Sequence, residues 1–146
     1  MDPERHLHKD FQRNQQLIEK TIYAILRGIR NDLIVHTYLP QLNEQMAAYM
    51  GFQDDAFYKF LNKKYTDDKQ ILKVLEFLAT DAKYILGRYL EFFDRFSSFK
   101  AEVGWSMFPK EFSDFSREIM SRFQIEKEYL FPLLDRLRET TNEGSS

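Results

Sequence analysis

Two side chains stand out for chemistry. Arg122 and Glu126 fall inside an apolar stripe that also carries Phe115, Ile119 and Leu130. At about 100° per residue, Glu126 lies about 20° from Ile119, near the centre of the face a helix would bury. A carboxylate there is costly unless it is paired and hydrogen-bonded. Arg122, one turn earlier, is placed to supply that pairing as an internal ion pair. The same placement fits a second reading, a former ligand position in a metal-binding bundle, and the two readings are compatible.

The other catalytic chemistries lack their residues. There is no cysteine, so disulfides, cysteine-bound zinc, iron–sulfur clusters and thiol nucleophiles are excluded. No Gly-rich phosphate loop, His-Glu-x-x-His or Gly-x-Ser-x-Gly occurs. A di-iron carboxylate bundle needs Glu-x-x-His pairs, but the residues three before His6, His8 and His36 are Pro3, Arg5 and Leu33. His6 and His8, two apart, sit on different helix faces and read as solvated histidines. No catalytic residue, metal or cofactor is expected.

These residues need elements to hold them, and the hydrophobic spacing supplies helices. Asp2-Pro3-Glu4 reads as a helix start. Leu7, Phe11, Leu17/Ile18, Ile22, Ile25, Ile29 and Leu33 then form one apolar stripe. A break is expected near Gly28 or a continuation to Leu39, with a kink or boundary at Pro40 and a stop at Gly51. Asp54 to Leu61 reads as a short helix carrying Phe57, Phe60 and Leu61. Thr66 or Asp67 would cap a long helix whose stripe runs Ile71, Leu75, Leu78, Ala82, Ile85/Leu86, Tyr89, Phe93 and Phe96. Residues 97–106 read as a connection, and Pro109 opens a last helix buried along Phe108, Phe112, Phe115, Ile119, Phe123, Leu130, Leu134 and Leu137. The expected domain is a single bundle over 1–139 with a disordered tail over 140–146.

Composition agrees with few, long elements. The chain has 146 residues, with Gly 5 and Pro 4, roughly half the ~12% that these two residues contribute on average. Nothing alternates with period two for long enough to suggest a strand, so the expected class is all-α, an antiparallel helical bundle of four main helices with an extra short one. Lys+Arg 21 against Asp+Glu 23 gives a net charge of −2, which argues against coating nucleic acid or anionic lipid. No membrane span and no signal peptide is visible, so the expected location is the cytoplasm. Phe 14, Tyr 8 and Trp 1 read mainly as core. Because Phe92 and Phe93 diverge by about 100°, the Phe92–Phe99 run is open between core and an interface.

The stretch Arg122 to Leu134, RFQIEKEYLFPLL, resembles the last helix of hemerythrin-type bundles. Glu126 and Leu130-Phe131-Pro132 hold that family's spacing, while Arg122 stands where the iron ligand would be. Closer still is a resemblance to the Rsd/AlgQ regulators of sigma factor, small bacterial bundles without a di-iron site. It is carried by Arg122-Phe123, Glu126 and Leu134-Asp135, by Leu75-Glu76-Phe77-Leu78-Ala79-Thr80 with Arg88-Tyr89-Leu90, and by Ile29 to Val35. Together these blocks cover about 60 residues in the family's order. The family often has Gly-His-Phe where this chain has Asp81-Ala82-Lys83.

The resemblance implies an up-and-down, hemerythrin-like bundle that binds and sequesters the sigma factor of RNA polymerase rather than turning over a substrate. It also implies a possible second partner, the histidine-containing phosphocarrier protein. The sigma region concerned is a basic helix-turn-helix, to which an acidic, partly aromatic face would be complementary. On that basis Glu76, Thr80, Lys83 and Tyr84 are the expected partner face, with Asn31 and Val35 beside them. The molecule would be a monomer or homodimer without direct contact to nucleic acid or membrane. The alternatives are a metal-free hemerythrin-like sensory or scaffolding protein and, third, a metal-dependent enzyme using Glu126 with carboxylates from other helices.

Overall fold

The computed structural model describes residues 7–96 and 105–144, with side chains as far as Leu137. The expected start at Asp2-Pro3-Glu4, His6, Phe99 and most of the 97–106 connection lie outside the described residues. The order is α1 (Leu7–Arg27), α2 (Asp32–Gly51), α3 (Asp55–Lys64), α4 (Lys69–Phe96), a 3₁₀ turn (Trp105–Met107), α5 (Phe108–Ile125), a π turn (Glu126–Leu130) and α6 (Phe131–Gly144). No strand occurs among the described residues, and none of their helices is long and apolar enough to cross a membrane. The backbone of the segment expected to form a tail continues as α6 to Gly144.

The first two helices are separated by a turn over 28–30. Gly28 is needed there because Ile34 comes very close: a Cβ on Gly28 would stand 2.5 Å from Ile34 Cδ1 and 2.7 Å from its Cγ2. Asn31 then caps α2, its Oδ1 accepting from Leu33 N at 3.0 Å and Ile34 N at 3.4 Å. The turn moves Leu33 out of the apolar stripe and leaves it 75% exposed. Pro40 does not end α2, which runs through it to Gly51. Pro40 and His36 are both exposed, so the carbonyl that proline deprives of its donor can turn to water.

Asp54 caps α3, its Oδ1 accepting from Phe57 N at 2.8 Å. The buried face of α3 is Tyr58 and Leu61, with Phe57 and Phe60 only partly covered. The cap of α4 is Asp68, neither Thr66 nor Asp67; its Oδ1 accepts from Gln70 N and Ile71 N, each at 3.1 Å.

One core joins all the helices. The Phe-rich end of α4 belongs to it: Phe92, Phe93 and Phe96 are all buried. Phe92 stacks on Phe115 of α5 with centroids 4.4 Å apart and rings 4° from parallel, while Phe93 meets the same ring edge-on. Consecutive phenylalanines can both be buried because α4 packs on α5 and also on α2. Trp105 covers this end, against Phe96, Phe108 and His36.

The last helical stretch contains a break in register that spacing did not reveal. Pro132 has no N–H for the carbonyl of Glu128 and its ring crowds that carbonyl. The chain widens by one residue instead, and Phe131 N donates to Glu126 O, an i to i+5 bond of the kind found at functional sites. Beyond it, α6 rests on α1, where Phe131 meets the His8 ring and Asp135 Oδ1 lies 2.6 Å from His8 Nδ1. Tyr65 OH donates to the Leu133 carbonyl.

Candidate functional site

Glu126 opens the π turn at the centre of the molecule and is completely enclosed; Arg122 is 2% exposed. Arg122 Nε donates to Glu126 Oε2 at 2.7 Å. The Gln53 amide, in the α2–α3 turn, donates to the same oxygen at 2.7 Å. On the other oxygen, Oε1, the carboxyl accepts from Gln15 Nε2 of α1 at 2.9 Å and from the Tyr49 hydroxyl of α2.

Arg122 uses its remaining donors on other helices. Its NH2 group donates to Gln53 Oε1 at 2.6 Å and to Tyr58 OH of α3 at 2.9 Å. Its NH1 group donates to Asp81 Oδ2 of α4 at 2.9 Å. Tyr58 OH in turn donates to Gln53 Oε1 at 2.9 Å. One ion pair is thereby tied to α1, α2, α3, α4 and the turn between α2 and α3.

Burial pushes the Glu126 carboxyl up, to about 8, and the Gln15 hydrogen bond acts against that rise. The other donors around it favour the ionised form in the same sense as Gln15. Burial also raises the Tyr58 hydroxyl, while the Arg122 charge and hydrogen bond lower it. A carboxyl enclosed this way holds helices together but cannot reach a substrate outside. Among the described residues no three His, Asp or Glu side chains converge as metal ligands. His8 is engaged with Asp135, and His36 lies against Trp105.

The network reaches the surface at one place. Asp81, with its side chain 25% exposed, lines a groove of about 470 Å³ between α4 and α5 together with Tyr84, Ile85, Ser121, Arg122 and Ile125.

The expected partner residues divide into three groups. Glu76, Thr80 and Lys83 are exposed on one flank of α4 and line a single groove of about 470 Å³ with Asn62, Leu72 and Ala79; Lys83 Nζ is 3.8 Å from Asp55 Oδ1. Tyr84 is exposed on the adjacent flank and lines the Asp81 groove. Asn31 and Val35 are elsewhere. Next to Val35, His36 lies by Trp105 and so by Phe96, which is about 20 Å along α4 from Lys83. Val35, 2% exposed, is core and cannot touch a partner: one turn after the cap, it is on the inward face of α2. The Asn31 side chain is occupied as the cap.

Gln15, Tyr49, Gln53, Tyr58 and Asp81 join the site without having been expected. Gln15 carries a signal, a polar residue between Phe11 and Ile18 in the α1 stripe, and Tyr49 continues the stripe of Leu42 and Met46. Gln53 carries none, since it acts from a turn. The chain matches no protein-family model, no curated protein and no solved structure.

Proposed function

We propose that this chain is a non-enzymatic transcription regulator of Rsd/AlgQ type, which binds a bacterial RNA polymerase sigma factor in the cytoplasm and sequesters it. The observation that carries the reading is a division of labour. The acid–base pair Arg122–Glu126 faces inward and is satisfied by internal partners, whereas α4 turns Phe77, Tyr84, Leu86 and Leu90 outward. Phe77 and Tyr84, about 20° apart around the helix, supply an exposed aromatic pair of the kind docking faces use, and Leu86 projects about 180° from Phe77. Glu76, Thr80 and Lys83 lie on one flank of that helix and Tyr84 on the adjacent one; buried Val35 is withdrawn from the face, while Asn31 is exposed.

The proposal includes an antiparallel, up-and-down arrangement of hemerythrin-like type. In support, Tyr89 OH donates to Asn43 Oδ1 at 2.8 Å, while the earlier residue His36 lies near the later end of α4, through Trp105. Contacts along α2 and α4 thus run in opposite order.

The test is direct binding of the purified chain to the carboxy-terminal region of a housekeeping sigma factor by calorimetry. Binding is expected, and Glu76→Arg is expected to weaken it about tenfold by placing like charge against a basic partner, with helicity unchanged. Failure of the unaltered chain to bind sigma factor ends the proposal. Unchanged affinity in the variant removes Glu76 from the face. The histidine-containing phosphocarrier protein is the second partner for the same assay.

A metal-free sensory or scaffolding module is the second reading. It is favoured by Arg122 itself, which stands at the resembling family's ligand position and bonds Glu126, Asp81, Gln53 and Tyr58. Co-purification of some other polypeptide, with sigma factor ignored, would select it.

A further inference from the structure

The centre of the molecule holds one cation between two carboxyls. Arg122 donates through Nε to Glu126 Oε2 at 2.7 Å and through NH1 to Asp81 Oδ2 at 2.9 Å. Its NH2 group meets neutral partners, Gln53 Oε1 and Tyr58 OH. With both carboxyls ionised this cluster would carry a net negative charge, and an uncompensated charge in the interior is costly. A proton on one carboxyl restores the balance. Asp81 keeps contact with water, its side chain 25% exposed, whereas Glu126 has none, so the proton belongs on Glu126.

The hydrogen bonds leave a place for that proton at one oxygen. Glu126 Oε2 faces Arg122 Nε and the Gln53 amide, both donors. The Gln53 amide is fixed in that sense, because its oxygen accepts from Arg122 NH2 and Tyr58 OH. Glu126 Oε1 instead faces the Tyr49 hydroxyl and the Gln15 amide, and both of these are reversible. Gln15 is buried, and its Oε1 has no hydrogen-bond partner among the described residues. Turning that amide end for end brings Gln15 Oε1 to the acid, whose O–H then donates to it, and leaves the nitrogen in the unpartnered position.

The titratable groups of this cluster on other elements are Tyr49 of α2, Tyr58 of α3 and Asp81 of α4, while α1 presents neutral Gln15. Lys127 and Glu128 of the π turn are exposed, with Lys127 Nζ 3.9 Å from Glu19 and Glu128 accepting from Gln124 at 3.1 Å. Asp135 of α6 is turned to His8.

We propose that the shared guanidinium makes Asp81 and Glu126 the two ends of one proton switch. Charge on Asp81, at the groove, keeps the proton on Glu126 inside; loss of that charge leaves Arg122 to Glu126 alone and releases the proton. The coupling is reciprocal: ionising Glu126 draws Arg122 away from Asp81 and weakens the bond that ties α4 to the network. The device goes beyond the partner-binding reading and does not depend on which partner is bound.

The test is a pH titration of the full chain, ¹³C-labelled at its Asp and Glu carboxyls, with the Glu126 signal identified by its loss in Glu126→Gln. Burial raises this carboxyl to about 8, so its signal is expected to titrate there. In Asp81→Asn the midpoint should fall by at least about one pH unit, a tenfold drop in proton affinity. The natural chain supplies a second readout if Asp81→Asn folds poorly. Its Asp81 signal should bend at the Glu126 midpoint, and that bend should vanish in Glu126→Gln. A Glu126 carboxyl already ionised at about pH 6, a midpoint indifferent to Asp81→Asn, or an Asp81 signal blind to the Glu126 step overturns the proposal. Sigma factor takes no part in the measurement, so either result leaves the sigma reading as it stands.

Discussion

Removing one member of a buried pair leaves the other stranded, so Arg122 is the side chain whose loss should hurt most. Arg122→Met would leave Glu126 enclosed with one fewer donor and Gln53 Oε1 and Tyr58 without the guanidinium. A loss of about 1–3 kcal/mol is expected near neutral pH, from the buried acceptors left without that donor, read as a lower urea midpoint with unchanged slope. A change below about 1 kcal/mol would mean that the pair contributes little. Glu126 makes a separate prediction about pH. Its folded carboxyl is pushed to about 8 against an ordinary 4.5, so between those values the folded chain holds a proton that the unfolded chain has released. Stability from this source is complete below about pH 4.5 and is lost as pH rises through about 8. The stability of the natural chain relative to Glu126→Gln should therefore decline from about pH 5 to about pH 8.5. A flat or rising difference would show that the donors around the carboxyl outweigh its burial.

At the scale of the element, the turn between α1 and α2 is the tightest test. Gly28→Ala would drive its Cβ into Ile34, and overpacking of this kind costs about 1–3 kcal/mol. Combining it with Ile34→Ala should recover part of that loss, because the clash is with that one side chain; strict additivity in urea unfolding would refute the cause. The elements were largely legible because apolar residues recur every three or four positions over long spans, as in Ile71 to Phe96. What the spacing missed are features that depend on backbone bonds. Pro40 reads as a kink or boundary, yet α2 continues through it, since an exposed carbonyl can do without its donor. Pro132 reads as one more residue of a last helix, yet it widens the turn that begins at Glu126. The cap at Asp68 was obscured by two neighbours of equal capping ability, Thr66 and Asp67.

At the scale of the molecule, the class all-helical follows from few glycines and prolines and from unbroken stripes. The pair Arg122 and Glu126 was legible for a different reason: charged residues inside an apolar stripe have nowhere to point but inward. Their partners were less so. Asp81 and Tyr58 come from helices whose approach no single stripe encodes, and Gln53 comes from a turn. The burial of Phe92 beside Phe93 likewise depends on α4 having neighbours on two sides. Val35 shows the converse error, an apolar residue taken for surface because a resemblance placed it there. The lone tryptophan has a practical bearing on all of this. Trp105 sits at the Phe96–Phe108 end, about 20 Å along α5 from Arg122, so its fluorescence is a native dye for one pole of the protein, sensitive to local loosening there and largely blind to events around the carboxyl.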